Sequence, residues 1–200
     1  MTDTPTTPDL TPTPDLTPTP GQTVGPFYGY ALPFEHDNEL VPPGSARAVQ
    51  LTGTVYDGAG DPVPDAILEI WQPDEHGAVP RETGSLRRNG FTFTGFGRAA
   101  VDPEGEFSFS TVDPGPTEAG KAPFISVVIF ARGLLNRLFT RIYLPEDTAA
   151  LAADPLLSSL DDDERSRLIA TRGADGSLHF DIRLQGEEET PFLRFPSHED

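Results

Sequence analysis

Clusters of glycine, proline and aspartate cut this sequence into short pieces, and that punctuation is what most limits its possible folds. Asp57-Gly-Ala-Gly-Asp-Pro62, Asp102-Pro-Glu-Gly105 and Asp175-Gly176 each end one run and begin another. Such clusters form turns because glycine accepts positive φ, proline fixes φ, and aspartate hydrogen-bonds its own backbone. The pieces between them are of strand length and rich in β-branched and aromatic residues. Runs at 49–56, 66–71, 97–101, 106–112, 124–131, 138–144 and 178–184 predict seven strands. At 138–144, Leu138, Thr140, Ile142 and Leu144 alternate with Phe139, Arg141 and Tyr143, while Phe107 and Phe109 share one face of their run. The first two runs read as a meander element, a pattern repeated by the third and fourth.

Only residues 155–170 read as helix. Ser158 or Ser159 is placed to cap an acidic first turn at 161–164, and Arg165 and Arg167 fall towards the other end, as the helix dipole favours. Seven strands and one short helical excursion predict an all-β fold, an antiparallel β-sandwich.

The longest apolar run, Pro123-Phe-Ile-Ser-Val-Val-Ile-Phe-Ala131, stops at Arg132-Gly133. It reads as a strand buried on both faces that carries a guanidinium to its exit. A cation there either pairs with a nearby carboxylate or holds an anionic ligand, and the structural pair is the commoner case.

At 200 residues the chain suits one domain with tails. Residues 1–20 repeat the unit TPTPDL and predict a disordered Thr/Pro-rich tail, residues 21–195 the sandwich, and residues 196–200 a second tail. After Gly21, the aromatics Phe27, Tyr28 and Tyr30 cluster beside helix-breaking Gly25-Pro26 and Gly29, which predicts an ordered, extended N-terminal arm docked on this chain or another.

With 32 acidic against 14 basic residues, the formal charge of -18 excludes nucleic-acid backbones and anionic membranes as partners. The absence of cysteine removes disulfides and thiolate metal sites and suits a cytoplasmic protein. The first residues resemble no export leader, and no run approaches the ~20 apolar residues of a membrane span.

Reactive groups are scarce. His36, His76, His179 and His198 are separated, with no paired spacing to mark a metal site. Serine occurs in no G-x-S-x-G turn, and the carboxylates at 161–163 read as a solvated helix start. The residues therefore describe a β domain without a reactive centre that exposes a cation and an aromatic arm, which suits binding at a shared interface.

Several stretches taken in order resemble one family: Gln22-Thr-Val-Gly-Pro-Phe27, Gly53-x-Val55-x-Asp57-Gly-x-Gly60, Leu68-Glu-Ile-Trp-Gln72, Gly95-Phe-Gly-Arg98, Phe130-Ala-Arg-Gly133 and Phe180-Asp-Ile-Arg-Leu-Gln-Gly-Glu187. The family is that of the protocatechuate 3,4-dioxygenase alpha chains, in the intradiol ring-cleavage dioxygenases, and the likeness runs from about residue 21 to 195.

The resemblance implies a hetero-oligomer in which a homologous beta chain holds Fe3+ with two tyrosines and two histidines, and this chain holds none. Its counterpart positions are Val79, Thr117 of Gly115-Pro116-Thr117, and Phe124 and Ser126 of Phe124-Ile125-Ser126. Phenylalanine cannot ligate iron, and serine is a poor replacement for imidazole. No catalytic or metal residue is then expected in this chain. Arg132 is implied to bind the substrate carboxylate, with Thr23, Gly25, Pro26 and Phe27 lining the same pocket. Phe27 stands where such chains often have tyrosine, so any hydroxyl contact is lost while packing is kept.

The implied reaction inserts both atoms of O2 into protocatechuate to give 3-carboxy-cis,cis-muconate, within aromatic compound catabolism by the beta-ketoadipate pathway. The acidic surface opposes an anionic substrate, but charges beyond about 8 Å are largely screened at physiological salt. Two other readings stay open on the residues alone. One is a non-catalytic β-sandwich ligand-binding module using Trp71 and the 27–30 aromatics for stacking; the other is a self-sufficient intradiol enzyme.

Overall fold

A computed structural model describes residues 23, 25, 27–81 and 88–195. The tails predicted at 1–20 and 196–200 lie outside the described residues. Two sheets face each other, with the core between them. The first contains β1 (Val49–Tyr56), β4 (Glu106–Thr111), β7 (Thr171–Arg172), β8 (Leu178–His179) and β9 (Ile182–Arg183); the second contains β2 (Ile67–Trp71), β3 (Phe96–Ala100), β5 (Phe124–Phe130) and β6 (Leu138–Tyr143). The first sheet has the order β4-β1-β8-β7 with β9 also on β1, and the second has the order β3-β2-β5-β6.

The predicted strands form, but two of their pairings differ from expectation. β1 and β2 lie in different sheets, as do β3 and β4, so their connections cross the sandwich instead of closing meander hairpins. Alternation and turn residues locate strands but do not say which sheet each one joins. The chain also pairs β8 and β9 parallel to β1, because a long excursion after β6 brings the last segment back in the direction of the first strand. The remaining pairs are antiparallel.

The last strand, expected unbroken over 178–184, splits at residues 180 and 181. Gly53 is the local cause: a Cβ there would lie 1.8 Å from the Phe180 carbonyl oxygen, so only glycine admits this backbone approach. The Asp181 carboxylate accepts the Thr54 N–H at 2.9 Å, replacing a ladder bond at the break.

The apolar run from 124 is not buried on both faces. Ile125, Val127 and Ile129 are fully buried, whereas Phe124, Ser126, Val128 and Phe130 are half-buried on the outer face. Each core side chain contributes about 1.5–3 kcal/mol by leaving water. Leu51, Val55, Phe107, Phe109, Leu178 and Ile182 meet them from the other sheet. Gln72 fastens the two layers: Thr111 Oγ1 donates to its Oε1 at 2.6 Å, and its Nε2 donates to the Val112 carbonyl at 2.8 Å.

The helical excursion begins earlier than predicted. It comprises α2 (Thr148–Ala153), a 3-10 turn at Leu157–Ser159 and α3 (Asp162–Ser166). Neither Ser158 nor Ser159 caps a helix. Asp161 caps α3 in a capping box with Glu164, and Asp147 caps α2. The arm is likewise not wholly extended, since Tyr28–Ala31 form one helical turn, α1. No helix among the described residues is long and apolar enough to cross a membrane.

Candidate active-site face

β2 and β5 run antiparallel with Ile67 opposite Phe130. Two residues beyond that pair on each side, the register sets Asp65 against Arg132, so the turn entering β2 meets the exit of β5. Arg132 Nε lies 3.1 Å from Asp65 Oδ2. The Arg132 side chain is 60% exposed and that of Asp65 only 18%. The guanidinium thus stands in solvent on a carboxylate foot.

The arm reaches the same place. Tyr28 donates its hydroxyl to the Asp65 carbonyl at 2.8 Å, and its ring tilts against Phe130 with centroids 6.5 Å apart. Burial, helped by the Asp65 charge and opposed by Arg132, pushes the Tyr28 phenol up to about 12, so it remains a donor through the neutral range. Arg98 holds the next turn of the arm: its Nη1 donates to the Leu32 carbonyl, while Nε and Nη2 bond Glu69 Oε1 at 3.0 and 2.6 Å.

The other predicted site residues are less tightly assembled. Phe27 forms the N-cap position of α1 beside Tyr28 and is 80% exposed. Gly25 has φ 68 and Thr23 is exposed. Pro26 lies outside the described residues. Beyond Arg132 and Gly133 a groove of about 290 Å³ continues along Pro62 and Leu184.

On the outer face of the second sheet, the positions that the family resemblance sets against metal ligands carry no donor set. Phe124 is covered by Arg141, whose guanidinium carbon is 4.0 Å from the ring centre, and Ser126 pairs across the ladder with Arg141 itself. Arg141 Nη1 donates to the Tyr143 hydroxyl at 3.1 Å, which donates to Asp154 Oδ1 at 3.1 Å. Val79 is exposed, and Thr117 sits on a touching loop, where a Cβ on Gly77 would meet the Pro116 carbonyl. An apolar ring, a lone hydroxyl and a resident cation do not fit iron. Among the described residues, no cluster of three or more His, Cys, Asp or Glu could hold a metal ion.

His179, expected as a framework side chain, lies at the end of β8 with Thr52 Oγ1 at 3.4 Å and Asp181 Oδ1 at 3.2 Å. Sequence reasoning missed Asp65, Tyr28 as the arm's anchor, and Arg141. Only the β2–β5 register reveals the first, and only the β5–β6 register the last.

A family model described as Dioxygenase matches residues 23–186. The chain is 38% identical over 188 residues to the protocatechuate 3,4-dioxygenase alpha chain of Burkholderia cepacia, covering 86% of this chain and 94% of that one. It is 32% identical over 163 residues to the protocatechuate 3,4-dioxygenase beta chain of the same organism, covering 73% and 68%. Among solved structures, the dioxygenase domain of a dioxygenase carbohydrate-binding protein fusion from Streptomyces sp. SirexAA-E is similar at a TM-score of 0.56 and 25% identity, covering 85% of this chain and 99% of that one.

Proposed function

The chain belongs to the intradiol ring-cleavage dioxygenase family, and within it we propose that it is the non-iron-binding alpha subunit of a protocatechuate 3,4-dioxygenase. It assembles with a homologous beta chain as a hetero-oligomer and completes that partner's active site. The reaction is intradiol cleavage of protocatechuate by O2 to 3-carboxy-cis,cis-muconate, a step of aromatic compound catabolism. Family membership displaces the stand-alone ligand-binding module. The lack of cysteine is consistent with a cytoplasmic location.

One observation supports the division of labour: the positions that the resemblance sets against metal ligands hold Phe124, Ser126, Val79 and Thr117, while an exposed guanidinium is kept beside the arm. The iron chemistry is supplied by Fe3+ in the beta chain. This chain's part is binding and orientation. Arg132 offers charge-assisted hydrogen bonds to the substrate carboxylate, and Thr23, Gly25, Pro26 and Phe27 wall the pocket. Phe27 and Tyr30, at 80% and 86% exposure, present apolar surface for the partner to cover. Fixing the carboxylate would orient the ring and its two hydroxyls in the shared pocket, a contribution that a ring without a carboxylate does not receive.

In the assembled enzyme, Arg132→Ala is expected to lower kcat/KM for protocatechuate at least about tenfold, the scale of one lost charge-assisted bond, and to leave catechol turnover nearly unchanged. Equal losses on both substrates would remove the recognition role.

A further inference from the structure

Asp65 is an expensive choice if stability were its only purpose. Its side chain is 18% exposed, and Oδ1 is buried without a hydrogen-bond partner among the described residues. A buried acceptor oxygen left without a donor carries a desolvation cost. Its ion partner, Arg132, is 60% exposed, and a pair of that kind returns little because solvent screens it. A mostly buried carboxylate with one unsatisfied oxygen, set against an exposed arginine, is the pattern of a group retained for what the arginine does.

The geometry gives that use. A guanidinium has two edges able to take a carboxylate in a bidentate fork, one through Nε and one through the two terminal nitrogens. Asp65 Oδ2 engages Nε. No other carboxylate among the described residues pairs with Arg132, whose side chain is 60% exposed, so the terminal edge is accessible to a ligand, and rotation of the planar group about its stem would break the Nε contact. Through its backbone the same residue accepts the Tyr28 hydroxyl, so the position of the arm and the aim of the arginine are set by one turn between Pro64 and Ala66.

We propose that Asp65 is a positioning residue that holds Arg132 by its Nε edge, so that the terminal guanidinium edge is presented to the substrate carboxylate, and that it registers the Tyr28 arm against the same site. This rests on the reading of Arg132 as the carboxylate-binding residue. Asp65 does not touch substrate. It acts by narrowing the orientations of a cation that would otherwise rotate freely at the surface, which lowers the entropy lost when substrate binds.

The test uses the complex of this chain with its beta chain and compares Asp65→Ala, Asp65→Asn, Arg132→Ala and the Asp65→Ala/Arg132→Ala pair. Steady-state kinetics are measured on protocatechuate and on catechol, with a melting curve for each variant. Asp65→Ala is expected to raise KM for protocatechuate about tenfold while kcat stays within about twofold, and to leave catechol kinetics unchanged. Asp65→Asn, which keeps an acceptor for Nε, should restore most of the loss. In the Arg132→Ala background, Asp65→Ala should add nothing, since the two act as one unit.

A protocatechuate-specific loss in Arg132→Ala with no effect of either Asp65 variant would overturn the positioning role and leave the arginine's role standing. Equal losses on both substrates in Asp65→Ala, or an undiminished effect in the Arg132→Ala background, would also overturn it. Indifference of Arg132→Ala to substrate would overturn the two together. Should Asp65→Ala fail to assemble, Asp65→Ser, too short to reach Nε, and Tyr28→Phe carry the comparison: each must raise KM for protocatechuate without altering catechol, or the proposal falls.

Discussion

The Arg141 guanidinium carbon lies 4.0 Å from the centre of the Phe124 ring. The outer face of the second sheet therefore already holds a cation, stacked on Phe124 and paired across the ladder with Ser126. Removing it as Arg141→Ala forfeits a cation–π contact and the bond to Tyr143, and should cost about 1 kcal/mol. Urea unfolding of the isolated chain measures this as a lower midpoint at unchanged slope. An unshifted midpoint would mean that the stacking contributes nothing.

Gly53 permits the Phe180 carbonyl to approach β1, and a Cβ there would also lie 2.8 Å from Phe107 Cζ. Gly53→Ala must push back a backbone segment and a core ring together, at a cost of about 3 kcal/mol. The expected readout is a large fall in melting temperature, with hydrogen exchange accelerating first at β8 and β9. A melting temperature within a degree or two of wild type would contradict the close packing.

Burial pushes both the Tyr28 and the Tyr143 phenols up to about 12 from an ordinary value of 10.0, with the Asp65 charge adding to the first and Arg141 opposing the second. The folded state then holds these protons more tightly than the unfolded chain. Between pH 10 and about pH 12 it binds more of them, so the stability they confer is whole below pH 10 and is lost as pH rises towards 12. Ultraviolet titration should show a phenolate component near pH 12 that shrinks in Tyr28→Phe and again in Tyr143→Phe. Loss of a component near pH 10 in either variant would contradict the buried placement.

The sequence made the layered β architecture legible because turn chemistry and two-residue alternation are local, and both mark strands where they occur. Sheet membership was not legible: nothing in residues 49–71 states that β1 and β2 part company, since that depends on which buried faces meet. The same holds for the site. Arg132 was visible as a charge closing an apolar run, but its carboxylate lies 67 residues away in sequence and is brought to it only by the β2–β5 register. The identities of Phe124 and Ser126 were readable at once, but not what packs on them. That neighbour, Arg141, became apparent only when β6 was set beside β5.

The central claim is that this chain shapes an active site whose iron belongs to its partner, and metal stoichiometry tests it most directly. The chain purified alone should contain no stoichiometric iron and consume no oxygen with protocatechuate. Purified with its beta chain, it should yield a coloured, active complex with one iron per pair of chains. One iron per chain in the isolated protein, or two per pair in the complex, would contradict it.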